Sequence, residues 1–169
     1  MRYCVQPATA KDIEILAQSM ADEDTGETEY DRNGNQRPLD YLLTAFLAST
    51  EVWAAHDSDG QPCALWGVGP TAPDFDVGCF WLLTSEEVET APHDLAALSI
   101  IVLPEMLASY ARLESLVDAR NLRAIALLER LGFTIEPAAF HQASGRPCRC
   151  AWIEANNPTL AKPRPALLN

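Results

Sequence analysis

The sequence predicts an α/β (α+β) fold, a mixed and mostly antiparallel twisted sheet with helices on both faces. Three observations lead to this prediction. Nearly half of the residues are hydrophobic, so the chain can bury a core and is not disordered. Strand and helix patterns follow in the order β-α-α-β-β-β-α-β-α-β-β, which a sheet covered by helices accommodates. The length of 169 residues suits one domain, expected at 1–155, with a loose proline-containing tail at 156–169.

Caps, periodicity and turn residues predict the elements of the first half. Thr9 caps a first helix, and Asp12 stands at the spacing of a capping box. The acidic stretch 21–36 contains two glycines and is predicted to be a solvated loop. Asp57-Ser58-Asp59-Gly60 is a strong hairpin turn signal. The predicted elements are a strand at 2–6, a helix from Thr9, a helix at 39–48 opened by Pro38, and strands at 51–56 and 63–68.

The second half continues with strands and helices of different lengths. A long apolar helix pattern covers 92–113, and Pro104 inside it predicts a kink or two helices. A helix at 121–131 ends at Gly132, where a left-handed residue is expected. The remaining predicted strands are 77–83, 113–118 and a closing pair at 133–141 and 147–154.

Charge restricts the partners of this chain. Its net charge of −12 repels a phosphate backbone and an anionic membrane surface, so we expect neither nucleic acid nor membrane as a partner. Basic proteins, amines or a basic patch on a partner protein are compatible with it. No apolar run approaches the roughly 20 residues of a membrane span, and no signal peptide follows Met1, so we expect a soluble intracellular protein.

Cysteines and tryptophans are both predicted to lie in the core. The five cysteines are odd in number and lack metal-ligand spacing, so we expect reduced thiols and no metal site. The alternation Cys148-x-Cys150-x-Trp152 places three apolar side chains on one face of a strand. The tryptophans of the central strands are predicted to pack in the core with their N–H groups on backbone partners, and they are Trp53, Trp66 and Trp81.

The segment from Asn121 to Phe133 carries a family resemblance. An asparagine opens a helix, an alanine follows three residues later, and Gly132-Phe133 closes it. This arrangement resembles the corresponding segment of GNAT acetyltransferases, and the predicted element order matches their fold. Asn121 is also a preferred N-cap and Gly132 a preferred helix terminator, so the motif indicates the fold better than it indicates activity.

A narrower resemblance covers roughly the second half of the chain. The stretch Cys79-Phe-Trp-Leu-Leu-Thr-Ser-Glu-Glu-Val88, the long helix, the sequence from Tyr110 to Glu114 and the Asn121 helix look like an internal virion protein family of short-tailed bacteriophages. Members of that family are small, GNAT-like and linked to virion assembly. The resemblance implies a location in the host cytoplasm or in association with the virion.

The GNAT resemblance also directs attention to where a pyrophosphate would bind. Active GNATs receive the pyrophosphate of acetyl-CoA on a glycine-rich loop at a helix N-terminus. The corresponding junction here, 82–94, contains no glycine, arginine or lysine. Thr84 and Glu87 instead match a capping box, and Glu86, Glu87 and Glu89 would repel an anion at the same helix end.

Residues for proton transfer are also missing from the expected positions, so we assign no catalytic residue. Many GNATs place a tyrosine seven residues after the asparagine as a general acid, and this position is Leu128. Tyr110 is predicted to pack at the end of the long helix. The possible bases are better explained as surface, capping or turn residues, and they are His56, His93, His141 and Asp118.

Two functional hypotheses remain, and a third has weaker support. One is a GNAT-like phage protein without acetyltransferase activity and without a cofactor, acting through protein contacts in virion assembly or in the infected cell. The other is an atypical acyl-CoA-dependent N-acyltransferase that binds acetyl-CoA through Leu82, Thr84 and Asn121 and acts on a basic amine or protein. A host-directed inhibitor that mimics nucleic acid is the third, supported by charge alone.

Overall fold

The computed structural model describes residues 3–18, 38–71, 76–85, 88, 91–142 and 145–157. The helices are α1 (Ala10–Gln18), α2 (Pro38–Ala48), α3 (Pro92–Ser109) and α4 (Leu122–Arg130). The strands are β1 (Cys4–Pro7), β2 (Glu51–His56), β3 (Pro62–Pro70), β4 (Val77–Thr84), β5 (Arg112–Asp118), β6 (Thr134–Ile135), β7 (Ala139–His141) and β8 (Arg146–Glu154). The predicted loop at 21–36 and the tail beyond 157 lie outside the described residues.

The described strands form one mixed sheet in the order β1-β2-β3-β4-β5-β8-β6, with β7 also paired to β8. Every pairing is antiparallel except that of β4 with β5. The helix α3 connects these two parallel strands, as a crossover between parallel neighbours requires. This arrangement confirms the predicted fold class.

Two hydrophobic clusters hold the helices on opposite faces of the sheet. Ile13 and Leu16 of α1 and Leu42 of α2 pack on Ala54, Leu65 and Leu83 of strands β2 to β4. The larger cluster joins α3 and α4 to the other face, where Ala55 and Ile153 mark its extent from β2 to β8. The first face is therefore covered over β2 to β4, and the second is covered across most of the sheet.

The predicted helix ends are confirmed at α1 and α4. Thr9 N and Oγ1 donate to Asp12 Oδ2 at 2.7 and 2.8 Å, which forms the predicted capping box. Asn121 Oδ1 accepts from Ala124 N at 3.0 Å. At the other end of α4, Gly132 has a φ of 91°, and Phe133 N donates to Leu128 O at 3.0 Å. Glycine adopts this left-handed conformation without a Cβ penalty, so it ends the helix at low cost.

Two predictions for the second half are wrong in detail. The 92–113 pattern forms one helix that contains Pro104 and ends at Ser109, and β5 begins at Arg112. The predicted strand at 133–141 is divided into β6 and β7, whose registers on β8 differ by one residue. Pro137 lies in this interruption and has no N–H to donate to a ladder, which gives a physical reason for the break.

A close contact between β3 and β4 fixes the position of Trp81. A Cβ added at Gly67 would lie 2.0 Å from Cε2 of the Trp81 ring. The ring therefore rests directly on the β3 backbone, and its Nε1 donates to Ser49 Oγ at 2.9 Å. None of the described helices has the length and hydropathy that crossing a membrane requires.

Candidate functional site

A split between β4 and β5 is the main feature of the sheet. The two strands pair only through Val77–Arg112, Gly78–Leu113 and Cys79–Glu114. Beyond these residues β4 continues to pair with β3 as far as Thr84, and β5 continues to pair with β8 as far as Asp118. Each strand therefore follows its own neighbour, and the backbone groups of 80–83 and 115–118 that face the split are not paired across it. Such unpaired strand edges can hydrogen-bond an extended ligand.

The predicted cofactor-binding residues lie around this split. Leu82 and Thr84 belong to the part of β4 that has left β5, with Leu82 half-buried and Thr84 buried. Asn121 follows the end of β5. Because β4 and β5 are parallel, Thr84 and Asn121 lie at the same edge of the sheet. The structure thus brings the three residues to one region through strand direction.

The junction between β4 and α3 is described only in part. Thr84 is the last residue of β4, and Ser85 N donates to Cys63 O at 2.9 Å. The helix α3 is preceded by Ala91, which makes no side-chain capping bond, and starts with Pro92. Thr84 is therefore not the cap of the long helix. The glutamates Glu86, Glu87 and Glu89, which the sequence places at this helix end, lie outside the described residues.

Asp118 is held in a turn at the end of β5. Its Oδ1 accepts from Arg120 N at 2.9 Å and from Arg120 Nε at 3.0 Å, and its Oδ2 lies 2.7 Å from an Arg120 terminal nitrogen. Arg146 Nη1 approaches Oδ2 to 3.6 Å. The hydrogen bonds from Arg120 are the main cause that lowers the pKa of Asp118 to about 2. A carboxylate this acidic is a weak proton acceptor, so the predicted turn role agrees with the structure.

Leu128 and Tyr110 both lie in the core. Leu128 is buried in α4 within the larger cluster, at the position where the resemblance implies a general acid. Tyr110 is buried at the end of α3, and its hydroxyl lies 2.7 Å from Thr50 Oγ1. The predicted packing role of Tyr110 is therefore confirmed.

The histidines differ from their predicted surface roles in one case. His56 is buried, and its Nε2 lies 2.9 Å from Asp12 Oδ1, which the sequence analysis did not foresee. Burial raises the pKa of Asp12, but the hydrogen bonds from His56 and Thr9 outweigh it and hold that pKa below its ordinary value. His93 Nδ1 lies 2.7 Å from an Arg130 nitrogen, and His141 ends β7.

The tryptophans pack as predicted, but their N–H groups find other partners. Trp66 is fully buried and its Nε1 donates to Ser99 Oγ at 2.9 Å. Trp81 donates to Ser49, so both use serine hydroxyls in place of the predicted backbone groups. Trp53 is half-buried, and its Nε1 is buried without a hydrogen-bond partner among the described residues.

The cysteines are free thiols, but not all of them belong to the core. Cys63 and Cys148 are buried, whereas Cys4 and Cys79 are exposed. Cys150 is half-buried, and burial followed by the nearby Glu114 carboxylate raises its pKa. Among the described residues, no group of three His, Cys, Asp or Glu side chains is arranged to hold a metal ion.

Solved structures resemble this arrangement over most of its length. An N-acetyltransferase from Staphylococcus aureus Mu50 superimposes with a TM-score of 0.68 at 11% identity, covering 92% of this chain and 99% of its own. An acetyltransferase of the GNAT family from Streptococcus pneumoniae gives 0.60 at 15% identity, covering 90% and 98%. The chain has the GNAT fold. Ribosomal-protein-S5-alanine acetyltransferase from Vibrio fischeri gives a TM-score of 0.62 at 11% identity, covering 93% of this chain and 95% of its own.

These likenesses concern the fold alone, because the identities are low. The chain matches no protein-family model and no curated protein. Within the GNAT fold, the split between β4 and β5 is the candidate functional site. Sequence patterns located its flanking residues but did not predict the extent of the split, which depends on pairings between strands far apart in the chain.

Proposed function

We propose that this GNAT-fold protein acts through protein contacts and does not transfer acetyl groups. The observation that carries the proposal is the chemistry at two positions: Leu128, where the GNAT resemblance implies a proton donor, and Asp118, a candidate base. Leu128 is an apolar side chain buried in the core, and the Asp118 carboxylate is engaged by Arg120. Leu128 has no proton to donate, and the Asp118 carboxylate is too acidic to accept one readily near neutral pH.

The composition of the β4–α3 junction supports the same proposal. Residues 85–91 carry three glutamates and no glycine, arginine or lysine. A pyrophosphate placed near this segment would meet negative charge, which costs binding free energy. The protein therefore offers a poor site for the anionic part of acetyl-CoA.

The setting of these contacts is proposed from the resemblance of the second half to internal virion proteins of short-tailed bacteriophages. The stretch from Cys79 to Val88 carries that resemblance. We place the protein in the host cytoplasm, either in association with the virion during its assembly or with a protein of the infected cell. A protein partner with a basic or apolar surface fits the net charge of −12.

A melting experiment with acetyl-CoA tests the absence of cofactor binding. We expect millimolar acetyl-CoA to leave Tm unchanged, because the protein does not bind it. Binding at a hundredfold excess over Kd would stabilise the fold by about 2.7 kcal/mol, a shift in Tm that is easy to detect. Free adenosine diphosphate serves as the control for nonspecific anion effects. A clear rise in Tm, followed by release of CoA in the presence of spermidine or a lysine peptide, would disprove the proposal.

A second candidate is an atypical acyl-CoA-dependent N-acyltransferase, and the open split favours it. The part of β4 around Leu82 that no longer pairs with β5 is suited to bind the amide groups of a pantetheine arm, and Thr84 and Asn121 lie at the same edge. Asn121→Asp separates the two candidates, because aspartate keeps the N-cap but adds a negative charge. If the enzyme is real, the variant loses acetyl-CoA binding while its Tm without ligand stays close to that of the parent.

A further inference from the structure

An exposed cysteine on the edge strand β1 stands beside a buried histidine on β2. Cys4 is the direct antiparallel partner of His56, and residues paired in this way project to the same face of a sheet. The Cβ atoms of such a pair are about 4.5–5.5 Å apart. This face is the one that α1 covers, because His56 contacts Asp12 of that helix. The two strands therefore place a thiol next to an imidazole near the first turn of α1.

The imidazole of His56 is held at one nitrogen and unpaired at the other. Its side chain is 9% exposed, and its Nε2 lies 2.9 Å from Oδ1 of Asp12. Burial raises the pKa of Asp12, but the hydrogen bonds from His56 and Thr9 lower it below its ordinary value. Asp12 is therefore a carboxylate, and Nε2 carries the proton that it accepts. The other nitrogen, Nδ1, is buried and has no hydrogen-bond partner among the described residues, so its lone pair is available to a donor.

Cys4 can supply the donor that Nδ1 of His56 lacks. A thiol is a weak S–H donor, and Cys4 is a free cysteine with an exposed side chain. The two groups stand side by side without a hydrogen bond between them, and rotation of the thiol about χ1 closes the gap. A nucleophile, a base and a carboxylate that orients the base form the arrangement that activates thiols. Here the base is shielded from water while the sulfur is open to solvent, so a reagent reaches the thiol directly.

The other cysteines lack this arrangement. Two of them are buried. Cys79 keeps an exposed surface, but its neighbours still desolvate the sulfur, and burial followed by the Glu114 carboxylate raises the pKa of both Cys79 and Cys150. A raised pKa lowers the thiolate fraction and slows reaction with electrophiles. Among the described strand pairings, only Cys4 stands directly opposite a histidine.

We propose that Cys4 is a reactive thiol that exchanges with low-molecular-weight disulfides, with His56 as its base and Asp12 holding the imidazole. Nδ1 accepts the thiol proton, and the carboxylate stabilises the imidazolium that results. The thiolate attacks one sulfur of the disulfide, the S–S bond of the reagent breaks, and a new S–S bond joins that sulfur to Cys4. The other half leaves as a thiolate and takes the proton from His56. The products are a mixed disulfide and one free thiol, and the reaction uses neither the split nor acetyl-CoA, so it goes beyond the proposed function.

The test measures how fast Cys4 reacts with dithiodipyridine, a neutral disulfide that the net charge of −12 does not repel. The chain carries Cys79→Ser and Cys150→Ser, so Cys4 is its only thiol that is not buried. The control is a peptide with the sequence of residues 1–8, which contains Cys4 without His56. We expect the protein to react about tenfold faster than the peptide at neutral pH, because an unassisted thiol is only a few per cent thiolate there. The absorbance of the released thiopyridone gives both rates.

Substitutions in the same chain separate activation of the thiol from stability of the fold. His56→Gln keeps an N–H for Asp12 but has no basic nitrogen, so the rate of Cys4 should fall to that of the peptide. Asp12→Asn, at the positioning residue, should lower the rate by a smaller factor. Loosening of the fold would instead speed the two buried cysteines, so a slow Cys4 beside unreactive buried thiols reports the loss of activation. Glu14→Gln on the exposed side of α1 is the matched control and should leave the rate unchanged.

A rate for Cys4 equal to or below that of the peptide would overturn the proposal. An unchanged rate in His56→Gln, with the buried cysteines still unreactive, would overturn it as well. If this variant does not fold, the buried cysteines react quickly, and the comparison of the chain that retains His56 with the peptide decides the outcome. Mass spectrometry after digestion locates the mixed disulfide, and a disulfide found on a buried cysteine in place of Cys4 contradicts the assignment.

Discussion

Two buried aspartates, Asp118 and Asp12, have lowered pKa values because neighbouring groups donate hydrogen bonds to their carboxylates. Asp118 is bound by the guanidinium and backbone N–H of Arg120, and Asp12 is bound by Thr9 and His56. In both, the hydrogen bonds lower the pKa of the carboxyl group. Both carboxylates therefore stabilise the fold in their charged form, one at the end of β5 and the other between α1 and β2.

Arg120→Gln tests the cause of the low pKa of Asp118. Its pKa is 3.8 without the protein environment and about 2 in the folded chain, so the stabilisation is fully present above pH 4 and is lost as pH falls toward 2. The substitution should raise this pKa and flatten that part of the stability profile, with a loss at neutral pH of about 1 kcal/mol or less because Arg120 is exposed.

Carboxyl NMR titration of Asp118 and urea unfolding between pH 2 and pH 7 measure the two effects of Arg120→Gln. Lys11→Gln removes a cation on α1, away from Asp118, and serves as the control. An unchanged titration of Asp118 in Arg120→Gln would show that another group controls the carboxylate.

Asp12→Asn tests the buried pair with His56. An amide can accept one hydrogen bond from Thr9 or His56 but loses the charge that strengthens both, so we expect a loss of about 1–3 kcal/mol in the free energy of unfolding. Because the folded-state pKa of Asp12 is lowered, the difference from the parent should shrink as the pH falls through that pKa.

Denaturant unfolding measures the effect, with Glu14→Gln as a matched control. Glu14 is exposed on the same helix, and its substitution should change stability by less than about 0.5 kcal/mol. Equal effects of the two substitutions would show that the pair with His56 contributes no net stability.

At the level of elements, the sequence predicts helix ends correctly at α1 and α4, where a few neighbouring residues decide the conformation. The capping box at Thr9, the cap at Asn121 and the terminator Gly132 all appear at their predicted places. The predicted strand 133–141 is divided into β6 and β7, and Pro137 is the local signal for this division. The helix α3 is shorter than the apolar pattern predicts, because apolar residues continue from the helix into β5 without a change of composition.

The contact of Gly67 with the Trp81 ring predicts how substitutions at these two positions change stability. Gly67→Ala places a methyl group within the ring volume of Trp81, so we expect a loss of about 1–3 kcal/mol. Trp81→Leu also destabilises, since it removes the bond to Ser49 and part of the core. The double variant should be more stable than the sum of the two losses predicts, because leucine leaves room for the methyl group.

A double-mutant cycle from denaturant unfolding tests this coupling. Additive losses would mean that the alanine methyl group is accommodated by movement elsewhere. The cycle contains its own control, because each single variant is compared with the parent and with the double variant.

At the level of the whole molecule, the fold is two half-sheets joined by three residue pairs between β4 and β5. The contact of Phe80 with Phe133, with ring centroids 5.6 Å apart, links the halves within the larger core. The amino-terminal 111 residues carry the whole of the acidic excess, because residues 112–169 contain more Lys and Arg than Asp and Glu. Self-repulsion in that part opposes compact folding.

Salt should therefore stabilise the chain. Screening of the net charge of −12 reduces the repulsion, so we expect Tm to rise as sodium chloride increases from low to moderate concentration. Calorimetry at neutral pH measures the change, and sucrose at equal osmolality controls for solvent exclusion. A fall in Tm would show that attractive pairs, such as those of Arg120 and Arg146 with Asp118, outweigh the repulsion.

The fold class, most element positions, the caps at Thr9 and Asn121 and the turn role of Asp118 follow from the sequence, because they depend on periodicity and on neighbours a few residues apart. The tertiary structure alone shows how far β4 and β5 separate, that His56 is buried against Asp12, and that Cys150 and Trp152, which the alternation predicts in the core, are only half-buried. These features depend on which distant strands pair and which faces the helices cover, and no local pattern encodes either.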